Sequence, residues 1–207
     1  RKLKLIQQVG DSQTSTDSVH ELTRFSPNKL STFDFCFQKG VYTYVQQLSP
    51  GEDKPSAAQL RGLIIHRFLQ LWHGEGVHPM MAAANLLQQF STYEGQIICA
   101  AETSRMVRYA NYWKDDKRYK FHAVEKELLV PFTTPKGREV TLHGILDGIV
   151  EDLQTGRLGV WDNKSTAKNH WSNEVVTLDR QLNLYSVVLM LLDYDPSFIT
   201  VNYISTS

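Results

Sequence analysis

Cysteine is nearly absent from the 207-residue chain. Cys36 and Cys99 are the only two, and they stand far apart in no CxxC pairing. That argues against a disulfide framework and against a four-cysteine zinc site, and predicts two buried thiols. Long apolar runs are also lacking. No stretch of eighteen apolar residues occurs and no charged-then-apolar leader is visible, so neither a membrane span nor a secretion signal is expected, and a cytoplasmic setting is. Nor does one sign of charge dominate: 22 basic and 22 acidic residues give a formal charge of zero. This is not the balance of a non-specific nucleic-acid coat protein, although Lys and Arg gathered on one face can still guide a phosphate backbone. What is present is enough for one good core, with 42% hydrophobic residues. A single domain over residues 25–207 is predicted, preceded by a polar arm over residues 1–24 that contains the run DSQTSTDS.

The informative stretch is residues 142–166, LHGILDGIVEDLQTGRLGVWDNKST. Two apolar runs flank a polar segment, which predicts an antiparallel hairpin with Thr155-Gly156 in its turn. If Asp152 faces Arg157 across that turn, the same register sets Asp147 opposite Asp162. Asp162 and Lys164 share a face by the period of two. Opposed carboxylates repel, and a fold accepts them only with a cation or a proton between them. Carboxylate oxygens suit Mg²⁺ or Mn²⁺, and a lysine beside them could polarise a water, so the layout fits metal-assisted phosphodiester hydrolysis.

Around this hairpin the periodicities are mixed. Ser26 before Pro27 is a helix start, followed by Leu30, Phe33, Phe37, Val41 and Tyr44 at helical spacing. AAQLRGLIIHRFLQLWHG predicts a helix ending near Gly74, with Gly62 and His66 on one face; read alone, His66 is a hydrogen-bonded core histidine, and His73 and His78 are surface or capping residues. Helices follow over residues 80–90 and 97–113. The basic cluster Lys114, Lys117, Arg118 and Lys120 reads first as a solvated connection and second as a phosphate contact. A strand over residues 122–132 carries Glu125 and Glu127 on one face. Ser165, Thr166, Lys168 and Asn169 place small polar and basic groups after the hairpin, suited to backbone phosphates. TLDRQLNLYSVVLMLL is a helix capped by Asp179 or Thr177, and its Gln181 and Tyr185 share a face on which each needs a partner. A last strand is expected over residues 198–204.

Three spaced elements in this order, Gly62-Leu63-Ile64-Ile65-His66, then Gly144-Ile145-Leu146-Asp147 with Asp162-Asn163-Lys164, then Gln181 and Tyr185, resemble the PD-(D/E)xK nucleases, and within them the RecB-like exonucleases. The Phe25-Ser26-Pro27-Asn28-Lys29-Leu30 helix start with Phe33 and Cys36 is similar to the opening of the same domain. The resemblance implies a restriction-endonuclease-like α/β fold, a central mixed sheet flanked by helices, and a Mg²⁺- or Mn²⁺-dependent deoxyribonuclease of recombination, repair or replication. It implies that His66, Asp147, Asp162 and the Asn163 carbonyl hold the metal, that Lys164 positions or deprotonates the attacking water, and that Glu125 rather than Glu127 assists. Gln181, Tyr185, Ser165, Thr166 and Lys168 would hold single- or double-stranded DNA, fed in some relatives by a helicase or recombination partner. With no cysteine after Cys99, the iron–sulfur cluster of some relatives is not expected. The rival expectations are a non-cleaving DNA-binding or assembly subunit of the same fold, whose mark is a missing ligand or lysine, and a structure-specific endonuclease.

Overall fold

The structure is a computed structural model that describes residues 23–48, 55–90, 92–166 and 173–205. Nearly all of the expected arm, and Lys168 and Asn169, lie outside the described residues. The architecture is α/β, with a five-stranded sheet flanked by helices. Its strands are β1 (Arg24–Phe25), β2 (Tyr119–Thr133), β3 (Glu139–Asp152), β4 (Arg157–Thr166) and β5 (Pro196–Ser205). They follow the order β1-β3-β4-β5, with β2 also paired to β3. The sheet is mixed: β1 runs parallel to β3, pairing Arg24 with Thr141, whereas β3 and β4 are antiparallel. The helices are α1 (Pro27–Phe35), α2 (Phe37–Gly40), α3 (Ala57–Leu69), α4 (Pro79–Gln89), α5 (Tyr93–Trp113), α6 (Asn173–Leu178) and α7 (Arg180–Leu191). Among the described residues no helix is long and apolar enough to cross a membrane. The described residues fall into two compact units, one drawn from segments 1–53, 126–146 and 171–196, the other from 54–125, 147–170 and 197–207.

In the first unit Ser26 caps α1 by accepting from the Lys29 N–H at 3.2 Å, with Pro27 preset for the first turn. The stripe from Leu30 to Tyr44 is not one helix. Extended backbone at Cys36 ends α1, and α2 continues as a π-helical turn over Val41–Val45. The expected buried thiol is therefore half corrected: Cys36 sits exposed at the break, while Cys99 is buried. Helix α7 packs against α1 and buries Leu182, Tyr185, Val188 and Leu189. Of its two candidate caps Asp179 is used, accepting from the Leu182 N–H at 2.9 Å.

In the second unit α3 opens with a capping box. The Ser56 hydroxyl accepts from Gln59 N–H, and the Gln59 side chain accepts from Ser56 N–H at 2.8 Å. Ile64, Ile65, Phe68 and Leu69 of α3 are fully buried, each contributing roughly 1.5–3 kcal/mol of transfer free energy. The predicted helix does run to Gly74, its last turn being π-helical over Gln70–Gly74. Helices α4 and α5 pack on α3 and on each other, adding Leu86, Cys99, Met106 and Ala110 to the core. Helix α5 begins at Tyr93, four residues before the predicted start, because Thr92 caps it by accepting from Gly95 N–H at 3.1 Å. His78 caps α4 by accepting from Met80 N–H. The hairpin has the predicted register, with Asp152 facing Arg157 and Gly148 facing Trp161. Its turn is closed by the Gly156 N–H to Asp152 carbonyl bond at 2.7 Å, and needs glycine at 156 because φ there is +68°.

Candidate metal centre and active site

Residues from α3, β2, β3 and β4, all of the second unit, converge on one site. The capping box fixes where α3 begins, and His66 lies three turns in, off the fully buried apolar stripe. Its Nδ1 lies 2.8 Å from Glu125 Oε1 and 3.6 Å from Asp147 Oδ1. One ligand atom each from His66, Glu125 and Asp147 falls within 4.8 Å of the others. Glu125 reaches this place through an unusual backbone. Its φ is +48° in the middle of β2, a left-handed conformation that costs a non-glycine residue on the order of 1 kcal/mol or more. A residue in that conformation bulges a strand and re-aims the side chains around it. The expected shared face of Glu125 and Glu127 is thereby undone: Glu125 meets His66, whereas Glu127 pairs with His143 at 2.9 Å in the first unit.

Asp147 is buried and bound on its other oxygen, Oδ2 accepting from the Asn163 backbone N–H at 2.7 Å. Burial pushes its carboxyl up to about 7; Asp162 and Glu125 add to the rise, and His66 and the Asn163 N–H oppose it. Burial works against a charged His66, but the Glu125 hydrogen bond and the charges of Asp147, Glu125 and Asp162 outweigh it, so the imidazole is held above its ordinary value. Asp162 is fully buried, and both its oxygens lie near Lys164 Nζ, at 3.0 and 2.8 Å. Ammonium and carboxylate thus neutralise one another beside Asp147. An imidazole nitrogen and carboxylates gathered at a half-buried place, one of them driven towards protonation, form a donor set that fits a divalent cation.

A second hydrogen-bonded layer supports Asn163. Its Oδ1 accepts from Trp161 Nε1 at 2.9 Å and from Asn202 Nδ2 at 2.8 Å, and Asn202 Oδ1 accepts from the Tyr109 hydroxyl at 3.0 Å. These bonds hold the side chain of Asn163 while its backbone N–H orients Asp147. Sequence reasoning passed over Tyr109, Trp161 and Asn202; the available signal was a polar asparagine inside the apolar C-terminal strand, which needs a partner when half-buried. His73, expected at the surface, lies between rings instead, stacked on Phe121 at 4.2 Å and against Trp72 at 4.0 Å. Burial there lowers its pKa to about 4.

The remaining candidates lie elsewhere. Gln181 Nε2 donates to the Tyr185 hydroxyl at 2.7 Å on α7 of the first unit. Gly144 of the same unit makes room for that tyrosine: a Cβ at Gly144 would come 2.9 Å from the Tyr185 ring. Ser165 is exposed near the end of β4, whose last residue is Thr166.

The sequence comparisons agree with this geometry at the level of family. No curated protein matches the chain. A family model described as the PD-(D/E)XK nuclease superfamily matches residues 24–200. That span takes in His66, Glu125, Asp147, Asp162, Asn163 and Lys164 and most of the sheet, and the donor set has the character that divalent-metal-dependent nucleases of this kind require. The chain belongs to the PD-(D/E)XK nuclease superfamily.

Proposed function

We propose that the protein is a Mg²⁺- or Mn²⁺-dependent deoxyribonuclease of the RecB-like exonuclease branch, acting on DNA in recombination, repair or replication. The observation that carries this reading is the meeting of His66, Glu125 and Asp147 within 4.8 Å, with Lys164 on the adjoining Asp162. His66, Asp147, Asp162 and the Asn163 carbonyl are the residues that would hold the metal, and Glu125, hydrogen-bonded to His66, joins them. A bound divalent cation supplies Lewis-acid polarisation of the phosphoryl group and a more acidic water.

The chain's own groups do the rest. Asp147 and Asp162 orient the reacting centre, Asp147 being fixed by the Asn163 N–H and Asp162 by Lys164. As the ammonium, Lys164 Nζ can hold the attacking water and offset the charge of the phosphorane-like transition state; as the neutral amine it would take the water's proton. Gln181 and Tyr185 are assigned to the DNA backbone, since an amide and a phenol are poor ligands for a hard cation but good partners for phosphate oxygens. Ser165, Thr166 and Lys168 are likewise assigned to backbone phosphates, as small polar and basic residue types suited to them. A non-cleaving subunit is not favoured, because the carboxylates, the histidine and the lysine are all present.

The test is cleavage of linear, circular, single- and double-stranded DNA with Mg²⁺, with Mn²⁺ and with EDTA. Exonuclease action predicts metal-dependent loss of linear substrates and survival of closed circles. Cutting of circles would move the reading to an endonuclease, and cleavage in EDTA would overturn the metal assignment.

A further inference from the structure

Beside the candidate centre the second unit contains a cavity of about 550 Å³, and nothing in the proposed reaction uses it. Its walls are unusually aromatic: Trp72, Tyr109, Trp113, Tyr119, Phe121 and Trp161 line it. Lys114 and Arg118, both exposed, stand among its lining residues. The rings brace one another mostly edge to face. Trp72 meets Tyr109 at 89°, and Trp161 meets both Tyr119 and Phe121 at 68°. Such contacts do not cover both ring planes of a pair as parallel stacking does; Phe121 and Trp72 are the exceptions, each meeting the His73 ring, at 18° and 32°. Arg118 is itself presented as a plane, gripped by Asp116 through bonds of 2.7 to 3.1 Å and lying over the rings of Trp113 and Tyr119.

The cavity is also wired to the centre. Trp161 and Asn202, both lining it, donate to the Asn163 side chain, and the Asn163 N–H orients Asp147. Asn163 alone thus stands between residues that line the cavity and Asp147. Flat rings with a planar guanidinium and an ammonium beside them are what an unpaired nucleotide recognises: the base stacks and the phosphate is met by cations. A duplex keeps its bases stacked within the helix and cannot offer one without paying to unpair it.

We propose that this cavity binds an unpaired nucleobase of the DNA strand presented to the centre, so that the protein prefers single-stranded or frayed ends. The inference rests on the nuclease reading and deepens it to a substrate class. Occupancy is expected to be read by tryptophan, since three of the four tryptophans line the cavity and Trp171→Phe removes the fourth.

The experiment titrates Trp171→Phe protein in EDTA with an oligodeoxythymidylate and with a blunt duplex of equal length, following tryptophan fluorescence. Saturable quenching by the single strand, with at least several-fold weaker binding of the duplex, is expected. Trp113→Ala and Tyr119→Ala, both at half-buried positions whose loss leaves the α3–α5 core intact, should each weaken the single strand by about 10-fold, as stacking on one ring implies. Trp113→Phe should restore most of it. Equal affinity for strand and duplex, or unchanged single-strand affinity in folded Trp113→Ala and Tyr119→Ala, would overturn the proposal. Cleavage by Asp147→Asn with Mn²⁺ is scored separately: activity there would sink the metal-centre reading while the metal-free titration still decides the cavity.

Discussion

Asp147→Asn should make the metal-free protein more stable while abolishing cleavage. The carboxyl is buried and raised from 3.8 to about 7, so near neutral pH the fold keeps a charge that its surroundings disfavour. A rise of about 3 units is worth on the order of 4 kcal/mol at about 1.36 kcal/mol per unit, and the attraction to His66 that Asn gives up takes part of it back. Asn retains an oxygen for the Asn163 N–H, so that bond is not sacrificed. A gain of about 1–3 kcal/mol at pH 8 in EDTA is expected. The pH dependence follows from linkage. Because the folded pKa exceeds the unfolded one, the folded state binds more protons between about 4 and 7, and the wild type loses stability as pH rises through that window. The advantage of Asn should therefore be near zero at about pH 4 and reach its plateau above about pH 7. Thermal or urea unfolding of both proteins across that range reads it directly. Mn²⁺ should then stabilise the wild type and leave the variant little changed. A variant no more stable than wild type at pH 8, or a difference that does not vary with pH, would refute the account of a cation-demanding carboxylate.

Glu125→Gly should remove the cost of a side chain at φ +48°, raising stability by about 1 kcal/mol in EDTA relative to Glu125→Ala, while both variants lose Mn²⁺ affinity by calorimetry. His66→Ala should weaken metal binding and reduce cleavage, more in Mg²⁺ than in Mn²⁺, because Mg²⁺ demands near-ideal octahedral geometry and tolerates a lost ligand less well; an unchanged metal titration would return His66 to a packing role. His73, lowered to about 4 by burial, binds fewer protons folded than unfolded between about 6.5 and 4, so it costs stability as pH falls through that range; His73→Gln should flatten that part of the unfolding curve, and an unaltered curve would count against the buried site. Tyr185→Phe and Gln181→Ala should weaken DNA binding in Ca²⁺ by no more than about 1.5–3 kcal/mol each and spare Mn²⁺ binding; the reverse pattern would show that their roles had been exchanged.

Much of the fold was legible because its signals are local. Ser26-Pro27 and Asp179 each cap a helix through a bond to a backbone N–H three residues on, and such signals are visible in a string of letters. The hairpin register followed from one cross-turn pair, since alternation then fixes every other partner. The errors came where a local pattern met a non-local demand. The apolar spacing from Leu30 to Tyr44 continues across Cys36, but the chain leaves helical geometry there, and the thiol expected inside turns outward. His73 has no periodic partner to reveal it; only the arrival of Phe121 from β2 makes it a half-buried, stacked ring.

The site shows the same division more sharply. The Asp162–Lys164 pair beside Asp147 was readable because the hairpin register, observed from Asp152–Arg157 to Gly148–Trp161, leads straight up to it. His66 depended on resemblance, since on its own helix nothing distinguishes it from a satisfied core histidine. Glu125 could not be separated from Glu127 by alternation, because alternation is the rule that its left-handed backbone breaks. That break is informative in itself. A strand gains nothing in pairing or packing from a non-glycine residue at positive φ, so the conformation persists only where surrounding contacts hold it, and here the residue it carries meets His66 and completes the cluster with Asp147. The most strained described residue of β2 is thus also the one that the metal reading needs, which is why exchanging it for glycine, at once relaxing the backbone and removing the carboxylate, should drive stability and metal affinity in opposite directions.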